Sequence, residues 1–521
     1  MLVHEILDHA ARLYADRTAI LDIDTELTYR EARDRSCRLA AGLLDLGLKP
    51  GENIGILANN SHRYWETYFA ASYAGLALAP LNIRLSGPEL EFILGDGEIR
   101  ALLVGKEYRD LVDSFRSKLP QLAHLVAVDG ETGGEYTSFE ELVSRSAPLA
   151  SPARDWSEDD MLNLCYTGGT TGLPKGVMLS QRNVTSNALH AVIYGEFTER
   201  DTWLHVAPMF HLADAWACYS VTMVGGTHAF VPGFAPQSTL EAIQRCKVTK
   251  TILVPTMINF LVNFPGARDY DVSSLETVLF GASPMPVDRL LEAVKVFGPK
   301  LAQAYGMTET APLLTGMKKE WTAFDGSPED TRRLASCGRE VPGVRLWVAG
   351  EDGTELPVGE VGEIVASGPN VMSGYWQRPE ETAVALRGGV MHTGDLASMD
   401  KDGYVFIVDR AKDMIISGGE NVFSTEVENA LYEHPEVLEA AVIGVPDEQW
   451  GEAVLAVVVP KDGTQPDEQG IIEHCRGLIA GYKCPKQVVF RSDPLPKSGP
   501  GKILKTELRK PFWEGQERQV N

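Results

Sequence analysis

The sequence has no closely spaced pair of cysteines and no long apolar run. Its seven cysteines are scattered, odd in number and form no CxxC pair, which argues against a disulfide framework or a zinc site. The longest apolar stretches, such as residues 70–81, fall well short of the roughly 20 residues that a membrane-spanning helix needs. The first 15 residues lack the positive start and unbroken apolar core of a secretion signal. We therefore expect a cytoplasmic protein without a membrane span.

Positive charge is scarce as well. The chain has 72 Asp and Glu residues against 48 Lys and Arg residues, a formal net charge of -24. This excess disfavours binding to nucleic acid or to an anionic membrane, so anionic substrates must meet a local basic site. Core material is ample, because 44% of the residues are hydrophobic. At 521 residues the chain exceeds the roughly 250–300 at which one core stops growing, so we expect at least two domains.

The order of apolar and turn residues predicts a layered α/β fold. A helix begins at Thr28, which forms a capping-box pattern with Glu31, and Gly47 closes it. Strand and helix patterns then alternate through residues 53–104, and the alternation resumes with a strand predicted at residues 251–255. Folds of this kind place their ligand loops at the carboxyl ends of the parallel strands.

Two later regions have a different texture. Gly and Pro are frequent through residues 351–379, which predicts a β-rich subdomain. Beyond Arg410, two helix patterns and three strand patterns, the last at residues 487–490, indicate a compact α+β unit. We predict an α/β protein with a large N-terminal domain, residues 1–410, of layered α/β subdomains plus the β-rich subdomain, and a small C-terminal α+β domain, residues 411–521.

A loop rich in glycine and threonine follows the apolar strand pattern at residues 161–165. Residues 166–176 contain four glycines, three threonines and Lys175. Glycines let backbone N–H groups approach phosphate oxygens, threonine hydroxyls add donors, and the lysine adds positive charge. The loop predicts a phosphate site, and a solvated turn is the alternative. It is not a Walker A loop, because two residues separate Gly172 from the lysine.

At this loop the sequence resembles the ANL superfamily of adenylate-forming enzymes, which contains acyl-CoA synthetases, adenylation domains of peptide synthetases and beetle luciferases. Seven further motifs stand in the family's order, so the resemblance covers nearly the whole chain. They are GASPMP at 281–286, YGMTET at 305–310, GREVPG at 338–343, GYW at 374–376, TGD at 393–395, DRAKDMIISGGEN at 409–421 and PKSGPGK at 496–502.

The resemblance implies that ATP is a substrate. In the family the Gly/Thr loop binds phosphate, the position of Tyr305 stacks on adenine, and the positions of Asp395 and Arg410 contact the ribose. The nucleotide-binding residues implied are Thr167, Gly168, Gly169, Thr170, Thr171, Gly172, Lys175, Gly281, Ala282, Ser283, Tyr305, Gly306, Asp395 and Arg410.

Four further residues are implied to act on the reacting groups. Glu309 would hold Mg²⁺ at the ATP phosphates, and Thr308 would donate to a phosphate. His211 would lie beside the acid carboxylate, and Lys502 would stabilise the transition state at the α-phosphorus from a Gly/Pro loop. Without the resemblance, each would more often be a core residue or a solvated one. Asp214 stands where relatives often have a small residue, so the resemblance does not fix the pocket geometry near His211.

The family's second half-reaction uses coenzyme A. Lys412 would be the hinge about which a mobile C-terminal domain turns, and Gly418 and Gly419 would admit the pantetheine arm closely. The chain ends shortly after Lys510 without a carrier module, which favours a free-standing ligase.

The predicted function is an AMP-forming acid–CoA ligase. It converts a carboxylic acid and ATP to an acyl-adenylate and pyrophosphate, and then transfers the acyl group to coenzyme A. The segment 210–216 favours a medium- or long-chain fatty acid. The alternatives are an aromatic acid of benzoate or cinnamate type and an adenylation enzyme that loads a carrier protein. Trp216, Met209 and Phe210 either line the acyl pocket or pack in the core, and a homodimer is compatible with the sequence.

Overall fold

The chain forms sixteen α-helices within the residues that the structure describes. The structure is a computed structural model and describes residues 1–130, 132–167, 174–283, 285, 287–322, 327–417, 420–447, 450–497 and 503–513. The helices are α1 (Val3–Leu13), α2 (Tyr29–Asp45), α3 (His62–Ala74), α4 (Gly87–Asp96), α5 (Arg109–Phe115), α6 (Phe139–Arg145), α7 (Gln181–Gly195), α8 (Leu212–Met223), α9 (Pro236–Cys246), α10 (Pro255–Val262), α11 (Val287–Phe297), α12 (Pro328–Leu334), α13 (Pro379–Ala385), α14 (Ser424–Tyr432), α15 (Glu468–Leu478) and α16 (Lys505–Trp513).

The strands of the same described ranges pair into four sheets. They are β1 (Thr18–Leu21), β2 (Glu26–Thr28), β3 (Asn53–Leu57), β4 (Ala77–Pro80), β5 (Ile99–Val104), β6 (His124–Ala127), β7 (Tyr136–Ser138), β8 (Met161–Thr167), β9 (Lys175–Ser180), β10 (Thr202–His205), β11 (Thr227–Phe230), β12 (Lys250–Leu253), β13 (Thr277–Gly281), β14 (Leu301–Gly306), β15 (Leu313–Met317), β16 (Arg339–Glu340), β17 (Arg345–Ala349), β18 (Gly362–Ser367), β19 (Gly374–Tyr375), β20 (Met391–Met399), β21 (Val405–Arg410), β22 (Ile415–Ser417), β23 (Glu420–Val422), β24 (Val437–Asp447), β25 (Gly451–Pro460) and β26 (Gln487–Phe490).

Two large, mostly parallel sheets carry the first part of the chain. One has the order β19-β9-β8-β4-β3-β5-β6-β7, and its strands from β8 to β7 run parallel. The other has the order β16-β15-β14-β13-β12-β10-β11-β1-β2, and it is parallel from β14 to β1. The carboxyl ends of neighbouring parallel strands share one edge, where ligand loops are expected.

The sequence explains where several of these elements begin and end. Thr28 caps α2 by accepting a hydrogen bond from the backbone N–H of Glu31, whose carboxylate in turn accepts from the backbone of Thr28, so the predicted capping box is confirmed. The strand predicted at residues 251–255 ends earlier, at Leu253. The reason is Pro255, which begins α10 at the first helical position, where proline's fixed φ is compatible with a helix.

The two smaller sheets follow in the chain. A four-stranded antiparallel sheet has the order β17-β18-β20-β21, and the sheet of β22 to β26 is built from residues 415–490 alone. The strand predicted at residues 487–490 is confirmed with the same bounds. The α/β fold class, with a large N-terminal and a small C-terminal domain, is confirmed, while the boundary between residues 410 and 411 stays a prediction.

Candidate active site

The carboxylate of Glu309 lies in a short turn directly after β14. Its side chain is only 7% exposed, and its Oε1 accepts a hydrogen bond from the Tyr375 hydroxyl at 2.9 Å. Burial raises the pKa of the Glu309 carboxyl above its ordinary value. The Nζ of Lys175 lies 5.4 Å from the centre of the Tyr375 ring, so the start of β9 brings positive charge toward this carboxylate. Thr308, the neighbour of Glu309, is partly exposed.

A second group of predicted residues meets where the ends of β14 and β21 lie beside the middle of β20. The hydroxyl of Tyr305 donates to Asp395 Oδ2 at 2.8 Å, and Arg410 Nε lies 3.1 Å from Asp395 Oδ1. The strands set this geometry, because Asp395 and Arg410 face each other in the β20–β21 register. Asp395 is 6% exposed. The structure therefore brings together the three residues that the sequence assigned to adenine and ribose.

Two glycines at the carboxyl ends of β13 and β14 allow neighbouring backbone to pack closely at this corner. A Cβ on Gly281 would lie 2.2 Å from the Ala304 carbonyl oxygen, and one on Gly306 would lie 1.7 Å from that of Pro312. Any larger residue would displace backbone at these positions. Ala282, which follows Gly281, has a positive φ of 64°, and Ser283 is partly exposed beside it.

The imidazole of His211 caps helix α8. Its Nδ1 accepts a hydrogen bond from the backbone N–H of Ala213 at 3.0 Å. Burial lowers the pKa of the His211 imidazole to about 4, so the ring is neutral at physiological pH. Because Nδ1 is the acceptor, the proton is on Nε2, and that N–H can donate to an anionic group.

A cavity of about 240 Å³ opens beside the segment that leads to His211. Pro208 and Phe210 line one part of it, and Phe260 lines another. Arg84 and Lys497 add positive charge to otherwise largely apolar walls. The cavity can therefore hold a narrow apolar chain with an anionic end.

The predicted hinge, Lys412, follows the Asp395–Arg410 pair in the chain. Burial, and after it the charge of Arg410, lower the pKa of the Lys412 ammonium to about 8. The chain on its two sides is joined by Asp409, whose carboxylate accepts from Ser424 N at 2.5 Å and from Ser424 Oγ at 3.0 Å. Ser424 begins α14, so a β21 carboxylate contacts the first turn of a small-domain helix.

Some predicted residues lie outside the part of the chain that the structure describes. They are Gly168, Gly169, Thr170, Thr171, Gly172, Gly418, Gly419 and Lys502. The residues on either side of the phosphate loop are described, and Thr167 pairs with Lys175 across β8 and β9.

The structure adds two features that the sequence analysis did not assign. Tyr375 stands in a motif quoted from the family, but only the structure connects it to Glu309, across 66 residues of chain. The pocket geometry near Asp214 did not follow from the resemblance. Asp214 is fully buried, and accepts hydrogen bonds from Trp203 Nε1 at 3.0 Å and His205 Nδ1 at 2.6 Å.

The three residues considered for the acyl pocket beside His211 lie in different surroundings. Met209 is fully buried and packs in the core. Phe210 lines the cavity described above. Trp216 is 7% exposed and packs in the same apolar cluster as Leu313, a cluster that Tyr305 also contacts.

Comparison with known proteins decides the family. A model described as AMP-binding enzyme matches residues 7–376, and one described as AMP-binding enzyme C-terminal domain matches residues 426–502. The chain belongs to the AMP-binding enzyme family. This family is the ANL superfamily of the sequence analysis, and the chain is an AMP-forming acid–CoA ligase.

Individual members of the AMP-binding family are similar over nearly the whole chain. A feruloyl-CoA synthase of Amycolatopsis sp is 40% identical over 503 residues, covering 96% of this chain and 97% of that protein. A medium/long-chain fatty acid–CoA ligase, FadD8 of Mycobacterium tuberculosis (strain ATCC 25618 / H37Rv), is 35% identical and covers 99% and 91%. The crystal structure of the anthranilate CoA ligase AuaEII with anthranoyl-AMP has a TM-score of 0.90 at 28% identity, covering 98% of this chain and 97% of that one.

Among the described residues, no helix is both long enough and apolar enough to span a membrane. They also contain no group of three or more His, Cys, Asp or Glu side chains placed to hold a metal ion.

Proposed function

We propose that this AMP-forming acid–CoA ligase activates an aromatic carboxylic acid. The observation that carries the proposal is a wall of packed aromatic rings within the apolar cluster that contacts Tyr305. Trp216 packs edge-on against Trp203, with ring centres 5.1 Å apart, and against Phe197 at 5.9 Å. The Trp216 Nε1–H donates to the Ala213 carbonyl at 2.8 Å, which fixes its ring. Such a rigid wall favours a flat ring, whereas a long alkyl chain needs an open channel.

Relatives support the same substrate class. The 40% identical protein is named for feruloyl-CoA, and the solved structure with a TM-score of 0.90 holds an anthranoyl adenylate. A medium- or long-chain fatty acid, the expectation from sequence, is the second candidate, because a fatty acid–CoA ligase is 35% identical over 99% of the chain.

The proposed first half-reaction uses the residues gathered at the carboxyl ends of the strands. The neutral His211 would donate its Nε2–H to one oxygen of the acid and leave the other free to attack the α-phosphorus of ATP. Lys502 would place positive charge on the developing transition state, and Lys175 and Thr308 would hold the departing pyrophosphate. Tyr305 and Asp395 would fix adenine and ribose.

Glu309 is the residue proposed to hold Mg²⁺. A buried carboxylate whose described hydrogen-bond partner is a neutral phenol suits a divalent cation. When bound, the ion would neutralise charge on the phosphates. The protein's own contribution is to orient the carboxylate through Tyr375.

In the proposed second half-reaction the thiol of coenzyme A reaches the adenylate carbonyl and displaces AMP. The cavity beside Phe210, with its apolar walls and with Arg84 and Lys497, suits the pantetheine arm. Gly418 and Gly419 would pass close to that arm, and Lys412 would be the pivot that brings them there. A homodimer and a cytoplasmic location also stay predictions.

Pyrophosphate release tests the proposal. Hydroxycinnamates, benzoates, indoleacetate and a series of fatty acids are compared with ATP and Mg²⁺, with coenzyme A or with a phosphopantetheinylated carrier protein as acceptor. We expect an aromatic acid to give the highest kcat/KM, with coenzyme A as acceptor. A fatty acid as best substrate would overturn the aromatic assignment, and transfer to the carrier protein alone would overturn the acceptor.

A matched pair of variants tests whether Trp216 determines which acid the enzyme prefers. Trp216→Leu should raise KM for the aromatic acid and shift preference toward aliphatic acids. Trp347→Leu makes the same substitution on β17 in another sheet and should leave the preference unchanged. Equal effects of the two variants would mean that the wall does not select the acid.

A further inference from the structure

A chain of hydrogen-bonded side chains lies in the core at the carboxyl end of β10. Its members are Thr222, His228, His205, Asp214 and Trp203, all 0% exposed, and we call it the buried chain. Thr222 Oγ1 lies 2.9 Å from His228 Nε2, and His228 Nδ1 lies 3.0 Å from His205 Nε2. His205 Nδ1 and Trp203 Nε1 reach the two carboxylate oxygens of Asp214 at 2.6 and 3.0 Å.

Counting hydrogens along the buried chain fixes the direction of its first hydrogen bonds. Thr222 Oγ1 also lies 2.6 Å from the Cys218 carbonyl, and that acceptor takes the hydroxyl's one hydrogen. His228 Nε2 must then donate to Thr222. Burial and the facing His205 lower the pKa of His228, so His228 is neutral and its Nδ1 accepts from His205 Nε2. The other ring nitrogen of His205, Nδ1, is then the atom that contacts the Asp214 carboxylate.

The position of the buried chain connects it to the acid pocket. His205 is the last residue of β10, His228 lies on the neighbouring strand β11, and Asp214 lies in the first turn of α8. The contact between His205 and Asp214 thus joins the end of β10 to the first turn of α8, the helix that His211 caps. Trp203, fixed by Asp214, packs against Trp216.

We propose that the buried chain is a positioning element that sets acid selectivity, with Asp214 and His205 holding His211 and Trp216 in place. The role rests on the proposed function, because it assumes that these two side chains face the acid. A buried pair that only stabilised the fold could lie at either end of β10. The Asp201–Lys250 pair, 3.1 Å apart and almost fully buried, lies at the opposite end and serves as the matched control.

The test compares Asp214→Ala, Asp214→Asn and Asp201→Ala in the full-length enzyme. Asp214→Ala leaves Trp203 and His205 without their acceptor, and we expect KM for the best acid to rise about 10- to 100-fold, as for lost outer-shell partners. KM for ATP should stay constant. Asparagine can accept from Trp203 and donate to a neutral His205, so Asp214→Asn should restore KM to within about threefold.

Asp201→Ala should lower the melting temperature without changing the acid KM or the ratio of kcat/KM between aromatic and aliphatic acids. If Asp214→Ala does not fold, Trp203→Phe removes one donor only and should shift the same ratio by a smaller factor.

An unchanged acid KM in Asp214→Ala or, where that variant does not fold, an unchanged ratio in Trp203→Phe overturns the proposal. So does an Asp214→Asn as impaired as the alanine variant, or the same shift in Asp201→Ala. Should a fatty acid prove the best substrate, the aromatic assignment fails alone, and the same variants measured with that acid still decide the role of the buried chain.

Discussion

Two buried carboxylates, Glu309 directly after β14 and Asp413 directly after the predicted hinge, have different electrostatic surroundings. Asp413 lies 2.9 Å from the Arg509 guanidinium. Burial opposes its ionisation, but the charges of Lys505 and Arg509 hold the pKa of Asp413 below its ordinary value. Glu309 is as deeply buried, accepts from the neutral Tyr375, and has a raised pKa.

The difference distinguishes a carboxylate with a direct cationic partner from one for which the described residues form no ion pair. Three lysines that follow Asp413 in the chain, Lys483, Lys497 and Lys505, also lie beside carboxylates. Near Glu309 the charge of Arg410 only partly offsets the effect of burial on the carboxyl pKa. We infer that such a carboxylate is suited to a cation that arrives with the nucleotide.

The largest effect is expected from Lys502→Ala. Its charge is proposed to act on the transition state of the first half-reaction, and loss of such a group typically lowers the rate about 100- to 1000-fold. Pyrophosphate release should collapse, while thioester formation from a synthetic acyl-adenylate should survive. Lys510→Ala, an exposed lysine of the same domain, is the control. Normal adenylation by Lys502→Ala, or equal loss of both half-reactions, would contradict the role.

Lys412→Pro should separate the half-reactions in the opposite direction. A fixed φ opposes rotation at the hinge. A coenzyme A thiol held out of position can lower the rate of thioester formation about 100-fold. Thioester formation should therefore slow while pyrophosphate release stays near normal. Lys412→Ala removes the charge but keeps the backbone free, so it should behave like the parent enzyme. Equal slowing of both steps by the proline would remove the hinge assignment.

Glu309→Gln tests directly whether the Glu309 carboxylate holds Mg²⁺. A neutral amide is a poorer metal ligand, so we expect adenylation to fall about 10- to 100-fold and to need more Mg²⁺. Because the pKa of Glu309 is raised, the parent enzyme should lose activity on acidification at a higher pH than an ordinary carboxylate would cause. The glutamine variant should lack this acid limb. Rates measured against Mg²⁺ concentration and pH check both points, and an unchanged Mg²⁺ requirement would show that the carboxylate does not hold the metal.

The smallest effect is expected from Tyr305→Phe. It removes the hydrogen bond to Asp395 and keeps the ring for stacking on adenine. A net hydrogen bond of about 0.5–1.5 kcal/mol corresponds to a change of roughly 2- to 12-fold, and it should appear in KM for ATP. Tyr305→Ala, which also removes the ring, should be clearly worse. Equal KM values for the two variants would argue against stacking.

The sequence predicted those parts of the fold and site that short segments specify. The capping box at Thr28, the strand at residues 487–490 and the grouping of Tyr305 with Asp395 follow from local patterns or from motifs in family order. The partnership of Tyr375 with Glu309 did not follow, because it depends on how β19 pairs with β9.

The buried chain was beyond sequence reasoning for the same cause. Its histidines lie on two short parallel strands, and a histidine read alone is more often a satisfied core residue. Asp214 was the one available signal, since an acid in an apolar segment needs a partner. Which partner it finds is decided by how α8 packs against β10, the strand that carries both Trp203 and His205.

The contact between Asp409 and Ser424 bears on the predicted rotation of the small domain. Its two hydrogen bonds join residues 15 positions apart in the chain, on either side of Lys412. A rotation about Lys412 that separates β21 from α14 would have to break both of them. They would then stabilise the conformation described here relative to the rotated one, and the free-energy difference between the two conformations would depend on Asp409.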